Sequence, residues 1–335
     1  MNYLVTGGGG FIGSHLTAEL VRSGHSVSVF DNFSTGKHAN LRGLPILEIE
    51  GDLRDAEHIE SAVQGMDTVF HLAALCSVAR SVSDPKSTHD VNITGTLNLL
   101  EACRKAGVRR VVFSSSSSVY GESEVLPKHE GMKPVPISAY AISKLTGEHY
   151  CQVYWKTYGL ETVCLRYFNV FGPRQDPKSE YAAVIPRFID AALKGQRPVI
   201  YGDGTQTRDF TYVDNVVNAN IRAAESPRMP GQIVNIACGG RLSLLELLAG
   251  LENILDVKVS PIFQEPRPGD VKHSQASIDR AQQLMDFLPR VGFDNGLVKT
   301  VEWYRMSLGM TEIVQPSRLK SKQTRPQRLS TIGQY

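Results

Sequence analysis

YLVTGGGGFIG, residues 3–13, decides how this chain is read. Tyr3, Leu4 and Val5 form a short apolar run, then come four glycines, then FIGSHLTAELVRSG with helical spacing up to Gly24. Gly7, Gly10 and Gly13 stand three apart at the junction. A strand that turns through glycine into a helix offers bare backbone, amide donors and the positive end of a helix dipole at one point. A pyrophosphate needs such a surface, and Gly13 in the first helical turn lets helix and strand pack closely.

A glycine loop alone is weak evidence, so the next test is an acid at the end of the second strand. SVSVFD (26–31) ends on Asp31, followed by Asn32. A carboxylate there accepts ribose hydroxyls and repels a 2′-phosphate, which favours NAD over NADP. Asp52 and Leu53, closing the third strand, fall where an adenine edge would lie.

Outward from this unit the chain keeps alternating. Further strands are read in ILEIEGD (46–52), TVFHLAA (68–74), RRVVFSSSS (109–117) and ETVCLRYFN (161–169). Helices are read in DAEHIESAVQG (55–65), in one long element over 87–107 and in another over 139–159. Apolar strands buried on both faces and separated by helices predict an α/β fold with a Rossmann-type doubly wound parallel sheet. Beyond Asn169 the pattern loosens: 172–186 and 201–210 read as loop, while 213–226 (helix) and 232–237 (strand) are able to rejoin the sheet. Helices at 242–255 and 277–287 point to a smaller mixed α/β substrate lobe built from several segments. The expected division is 1–168 with about 212–237 for the dinucleotide, 169–211 with 238–312 for the substrate, and a basic flexible tail over 313–335.

Composition agrees with a folded globular protein: 335 residues, 41% hydrophobic and 21% charged. The net charge is +2, but Arg318, Lys320, Lys322, Arg325 and Arg328 fall in the last twenty residues without an acid. No aromatic or motif accompanies them, so a solvated end is the plainer reading than a nucleic-acid arm. Five scattered cysteines, with no CxxC pair, argue against a disulfide frame or a zinc site and fit a reducing compartment. With no long apolar run and no leader-like start, a cytoplasmic protein off the membrane is expected.

SSSSSVYG (114–121) looks like a linker until its context is weighed. It follows Val111, Val112 and Phe113 at the C-terminal end of a buried strand, where open α/β sheets bind ligands. Tyr140 and Lys144 stand four apart and share a helix face. An ammonium beside a phenol lowers its pKa, and an oxidised nicotinamide adds positive charge, so a tyrosine general base near neutral pH is the reading. A serine hydroxyl at the strand end would share the proton path.

The combination of TGGGGFIG, DNFSTG, HLAAL, SSSSSVYG, YAISK, RYFNVFGPRQDP, YAAVIP, GDGTQTRDFTYVDN and RPGDVKHSQA resembles the extended short-chain dehydrogenase/reductases, in particular the UDP-sugar 4-epimerases, over about residues 1–310. The resemblance implies an enzyme with NAD as cofactor and catalytic residues Ser116, Tyr140 and Lys144. It implies a cofactor surface of Gly7, Gly10, Phe11, Ile12, Gly13, Asp31, Asn32, Ser34, Thr35, Gly36, Asp52, Leu53, Leu72, Ala73, Ala74, Asn92, Ser114, Tyr140, Lys144 and Phe168. The UDP-sugar would meet Cys76, Ser116, Ser117, Tyr140, Asn169, Ala183, Val184, Tyr201, Arg208, Arg267, Asp270 and Ser274, with both arginines on the diphosphate. No metal is implied.

Within such a family, dehydratases carry an Asp-Glu pair after the catalytic hydroxyl, and decarboxylases keep a Glu at the second position. Ser117 and Ser118 stand there, which weakens both alternatives without removing them. Ser274 falls where a bulky tyrosine would restrict the pocket to plain hexoses, and Ala183 is also small. Both favour UDP-GlcNAc/UDP-GalNAc. Cys76, in place of the glycine common in such relatives, narrows the pocket and keeps UDP-Glc/UDP-Gal in view. UDP-uronate epimerisation and a catalytically silent NAD-binding regulator remain rival readings. The helices over Asn92–Lys105 and Tyr140–Tyr158 are expected to form a homodimer interface, as in the family.

Overall fold

The computed structural model describes residues 1–177, 183–266 and 272–310. The first six strands are β1 (Asn2–Thr6), β2 (Ser26–Asp31), β3 (Leu47–Glu50), β4 (Thr68–His71), β5 (Arg110–Ser116) and β6 (Glu161–Tyr167). With Ile233–Ile236 they make one seven-stranded sheet, ordered Ile233–Ile236, β6, β5, β4, β1, β2, β3. Every pairing in it is parallel. The chain starts at β1, runs outward to β3, then returns to the other side of β1 with β4. Strand order therefore reverses between β1 and β4, and the crevice at their C-terminal ends is where such sheets hold ligands.

The central strands are buried almost throughout and the edge strand β3 is not. Successive side chains of a strand alternate between faces. In β1, Tyr3 and Val5 join one core with Leu16, Leu20, Val29 and Phe70. Leu4 joins the opposite core with Phe30, Val69, Leu99, Val111 and Phe113. Helices Phe11–Arg22 and Val213–Glu225 belong to the first layer, Gly95–Ala106 and Ala139–Tyr158 to the second. The Ala139–Tyr158 helix starts at Ser138, whose hydroxyl accepts the Ala141 N–H at 3.1 Å, and stops at Gly159 with φ +74°.

The long helix expected over 87–107 is interrupted. Pro85–His89 is α-helical, Asp90–Thr94 is a π turn, and Gly95–Ala106 is α-helical up to Gly107 in the left-handed region. The widened turn buries Asn92, whose side chain takes both Leu75 backbone groups and the Ser143 hydroxyl. In the second half, Leu244–Leu255 and Asp279–Met285 are helices as expected. Two more were not foreseen: Val184–Leu193, at the end of a stretch read as loop, and Phe293–Ser307. The first buries Ile185, Pro186, Phe188 and Ile189 on one face. No described helix is long and apolar enough to cross a membrane.

Candidate active site

The glycine loop closes on itself. Gly7 N–H bonds Phe30 O at 2.8 Å, and Gly10 N–H bonds Gly7 O at 3.1 Å. Gly7 has φ +71°, and a Cβ there would lie 2.7 Å from the Ala73 nitrogen. A Cβ on Gly13 would stand 2.1 Å from Gly7 O. The helix then opens at Phe11 and Ile12 with no side-chain cap and no acid in its first turn. Its amide donors and dipole are left for an anion.

Asp31 is buried at the end of β2. Its two oxygens accept Gly9 N–H at 2.9 Å and Phe33 N–H at 2.8 Å. Burial raises its pKa, and those two bonds oppose the rise. A carboxylate has more acceptor capacity than these two bonds use, so ribose hydroxyls still find partners. Gly36 of the Ser34-Thr35-Gly36 turn packs on this carboxylate, where a Cβ would come within 2.8 Å of Oδ2. Asn32 bridges onward, receiving Ser34 N–H and donating to Asp52 at 2.9 Å. Arg54 grips Asp52 with two bonds of 2.8 Å and, as the leading cause, holds its pKa far below the usual carboxylate range. Leu53 is buried, and its carbonyl takes Asn98 Nδ2 at 3.1 Å. Leu72 and Ala73 line the return from β4: their N–H groups bond Thr6 O at 3.1 Å and Thr6 Oγ1 at 3.3 Å. Ala74 O receives the Cys76 thiol at 3.3 Å. Glycines that exclude a Cβ, an uncapped helix start and a carboxylate at the end of β2 together fit a dinucleotide.

At the end of β5 the serines divide. Ser114, Ser115 and Ser116 finish the strand, and Ser117 opens a 3-10 turn through Tyr120. The run is thus ordered backbone at the sheet's ligand end. Ser116 Oγ accepts Ser118 N–H at 3.2 Å and lies near enough to the Tyr140 phenol to favour its ionised form. Lys144 Nζ donates to Ser114 O at 2.8 Å, 5.1 Å from the centre of the Phe113 ring and 5.9 Å from that of Tyr140. Burial pushes Lys144 down to about 8. Tyr140 is partly exposed, and desolvation raises its pKa, with Cys76 adding to the rise and Ser116 opposing it. Desolvation is the leading influence on this phenol, and Lys144 is not among the groups that shift it. The reading of Tyr140 as a base therefore counts, as in the sequence reading, on the charge that an oxidised nicotinamide would add. Cys76 is solvent-accessible beside this pair; desolvation raises its thiol and Lys144 draws it back.

His71, in the HLAAL segment, was given no role in the sequence reading. It is buried between Thr6 Oγ1 (2.8 Å from Nδ1) and Thr96 Oγ1 (2.9 Å from Nε2). Thr96 already donates to Asn92 O at 2.6 Å, so it accepts from Nε2–H, and Nδ1 accepts from Thr6. Burial pushes this imidazole down to about 3, with Lys144 adding to the effect.

A cavity of about 240 Å³ is built from residues between Asn169 and Leu244. Asn169, Ala183, Val184, Tyr201 and Arg208 line it, as do Arg187, Gln206 and Leu244, which were not singled out. Asn169 has φ +32°, and its Nδ2 donates to Asp209 O at 3.1 Å and Ser274 Oγ at 3.3 Å, which sets Ser274 beside the cavity wall. Arg208 is steadied by Thr207 O at 3.0 Å and Lys272 O at 3.2 Å. Phe168 lies deeper, buried with Val119, Tyr120, Ala237 and Ala276. Arg267 and Asp270 lie outside the described residues.

A glycine-cradled dinucleotide site facing a Tyr-Lys pair at the end of β5 defines a short-chain dehydrogenase/reductase of the extended type. A family model described as the NAD dependent epimerase/dehydratase family matches residues 3–237, and this chain belongs to that family; its cofactor is NAD. It is 40% identical over 311 residues to the UDP-glucose 4-epimerase of Mycolicibacterium smegmatis, covering 91% of this chain and 99% of that one. It is 37% identical over 317 residues to a UDP-N-acetyl-alpha-D-glucosaminuronate decarboxylase of Bacillus cytotoxicus, covering 90% and 98%. Among solved structures, the UDP-N-acetylglucosamine 4-epimerase of Methanobrevibacter ruminantium M1, in complex with UDP-N-acetylmuramic acid, superposes with a TM-score of 0.88 at 42% identity, covering 91% and 98%.

Proposed function

We propose that this enzyme, an NAD-dependent UDP-sugar 4-epimerase, interconverts UDP-GlcNAc and UDP-GalNAc and also accepts UDP-Glc and UDP-Gal. The observation that carries the chemistry is the convergence of Ser116, Tyr140 and Lys144 at the C-terminal end of β5. Bound NAD supplies the hydride acceptor and donor at C4. Tyr140 takes the proton from the sugar 4-OH and returns it after the 4-keto sugar has presented its other face. Ser116, beside the phenol, passes along the proton and steadies the keto oxygen. Lys144 holds its charge near the phenol from the Ser114 carbonyl. No carboxylate stands at Ser117 or Ser118, so elimination of water and loss of carbon dioxide lack the acid that those reactions use.

The sugar preference rests on the small wall at Ala183 and Ser274, with Cys76 as the narrowing element. Asn169, Tyr201 and Arg208 would anchor the nucleotide sugar, joined by Arg267 and Asp270. The test is a panel of UDP-Glc, UDP-GlcNAc and UDP-GlcA, scored by the C4 epimer formed. Turnover of UDP-GlcNAc with weaker turnover of UDP-Glc is expected; turnover of UDP-GlcA alone would replace this reading.

The same reading assigns 1–168 and about 212–237 to NAD, and 169–211 with 238–312 to the substrate, in a cytoplasmic homodimer. Ile142, Val153 and Tyr158 of the Ala139–Tyr158 helix are about half exposed, which supports pairing through that helix. Light scattering that gave only monomer at micromolar concentration would overturn the dimer.

A further inference from the structure

Tyr140, Lys144 and Glu148 follow one another at intervals of four on the same helix. Glu148 is 1% exposed, and Arg166 on β6 is 3% exposed. The guanidinium grips the carboxylate with bonds of 2.8 and 2.6 Å. Glu148 Oε1 also accepts the Ser115 hydroxyl at 2.6 Å. Ser115 and Arg166 are register partners across β5 and β6. Arg166 in turn lies 4.7 Å over the Tyr120 ring, and Tyr120 OH donates to Asn235 on the last strand at 2.7 Å.

A fully buried ion pair is a poor source of stability, because desolvating both charges offsets most of their attraction. Its position is more telling. Ser115 stands between the two strand residues that meet the proton-transfer pair: Ser114, whose carbonyl holds Lys144, and Ser116, whose hydroxyl meets Tyr140. The Ser115–Glu148 bond joins that strand segment to the helix one turn beyond Lys144.

We propose that Glu148, oriented by Arg166, is a positioning residue for proton transfer: through Ser115 it fixes β5 against the helix so that Ser114 and Ser116 meet Lys144 and Tyr140. This rests on the reading of Tyr140 as the proton-transferring group. Losing the bond would let strand and helix slide, and displacements of an ångström at a reacting centre cost up to about a hundredfold in rate.

Ser115→Ala removes the tether and leaves both Glu148–Arg166 bonds in place. The holoenzyme variant is expected to lose about ten- to a hundredfold in kcat, with KM for the UDP-sugar held within about twofold. A second readout needs no substrate: the ultraviolet titration of the Tyr140 phenol in the NAD-loaded protein, taken as a difference against Tyr140→Phe. The groups facing the pair, which are Ser116 from β5, Cys76 from the loop after β4, His71 from β4 and Cys151 on the same helix, are unchanged in the variant. A phenol midpoint higher by about one unit would therefore report lost geometry. Ser115→Thr, which keeps the hydroxyl on a strand, should restore both kcat and midpoint. An unchanged midpoint with a lowered melting temperature would make the clamp purely structural and overturn the proposal. If the wild type epimerised no UDP-hexose, the functional reading would fall by itself and the phenol titration would still decide this one.

Discussion

The ammonium of Lys144 is held by the carbonyl oxygen of Ser114 at 2.8 Å, so the strand, not the phenol, fixes where that charge sits. The centre of the Tyr140 ring lies 5.9 Å from Nζ. In the protein alone the phenol is held above its ordinary value by desolvation. On the proposed mechanism, the charge of a bound nicotinamide would be what brings this phenol down into the range of a base.

Tyr140→Phe removes the proton acceptor and little else. Turnover should fall by about 10²–10⁴-fold, the range of a lost general base, with the KM for UDP-sugar nearly unchanged. Lys144→Met should also lower kcat, because it removes the charge beside the phenol. Both would be followed by epimer formation on purified holoenzyme. A Tyr140→Phe enzyme turning over at the wild-type rate would remove the mechanism.

The His71 imidazole is buried neutral, with its ordinary value of 6.5 pushed down to about 3. The unfolded chain takes up a proton below 6.5 and the folded one does not until about 3. The stabilisation from this site is therefore complete above pH 6.5 and is lost as the pH falls through that window. The slope per site is at most about 1.4 kcal/mol per pH unit. Urea unfolding at pH 7, 5 and 4 should show wild type losing stability faster than His71→Gln. Parallel slopes would mean that another group carries the acid dependence.

At Gly13 a methyl group would stand 2.1 Å from the Gly7 carbonyl oxygen, closer than any real contact. Gly13→Ala must push the helix away from β1, at a cost of about 1–3 kcal/mol. It should also spoil the pyrophosphate cradle. The expected variant is folded, less heat-stable and purified without NAD, as seen in its 260/280 nm absorbance ratio. Retention of NAD with wild-type affinity would show that the loop has slack to spare.

Much of this was readable before any coordinates, because the decisive signals are local. YLVTGGGGFIG carries strand, turn and helix start within eleven residues, and Tyr140 and Lys144 share a face by helix geometry alone. What escaped reading depends on residues far apart in the chain. Glu148 meets Ser115 across 33 residues and Arg166 across 18, although the interval of four from Lys144 to Glu148 was there to be noticed. The π turn at Asn92 exists to satisfy the Leu75 backbone, which no periodicity announces. Pro186 and the glycine- and proline-containing run before it hid the Val184–Leu193 helix, whose apolar face shows only once it is packed. His71 looked like one more position of a buried strand until its threonine partners appeared from β1 and the Gly95–Ala106 helix.

Ser274 gives the sharpest handle on the sugar. Its hydroxyl lies 3.3 Å from the Asn169 amide, and Asn169 lines the cavity with Ala183 and Tyr201. On the proposed substrate assignment, a tyrosine at 274 would compete for room with a 2-acetamido group, while a plain 2-hydroxyl makes no such demand. A pocket that loses room for a few atoms discriminates by about 10–200-fold. Ser274→Tyr should therefore cut kcat/KM for UDP-GlcNAc by a factor in that range and leave UDP-Glc within a few-fold. Cys76→Gly, which removes the side chain proposed to narrow the site, should raise UDP-GlcNAc turnover relative to UDP-Glc. Should Ser274→Tyr lower both substrates equally, the residue would be a general support of the site, and the assignment of an N-acetylated substrate would lose its footing.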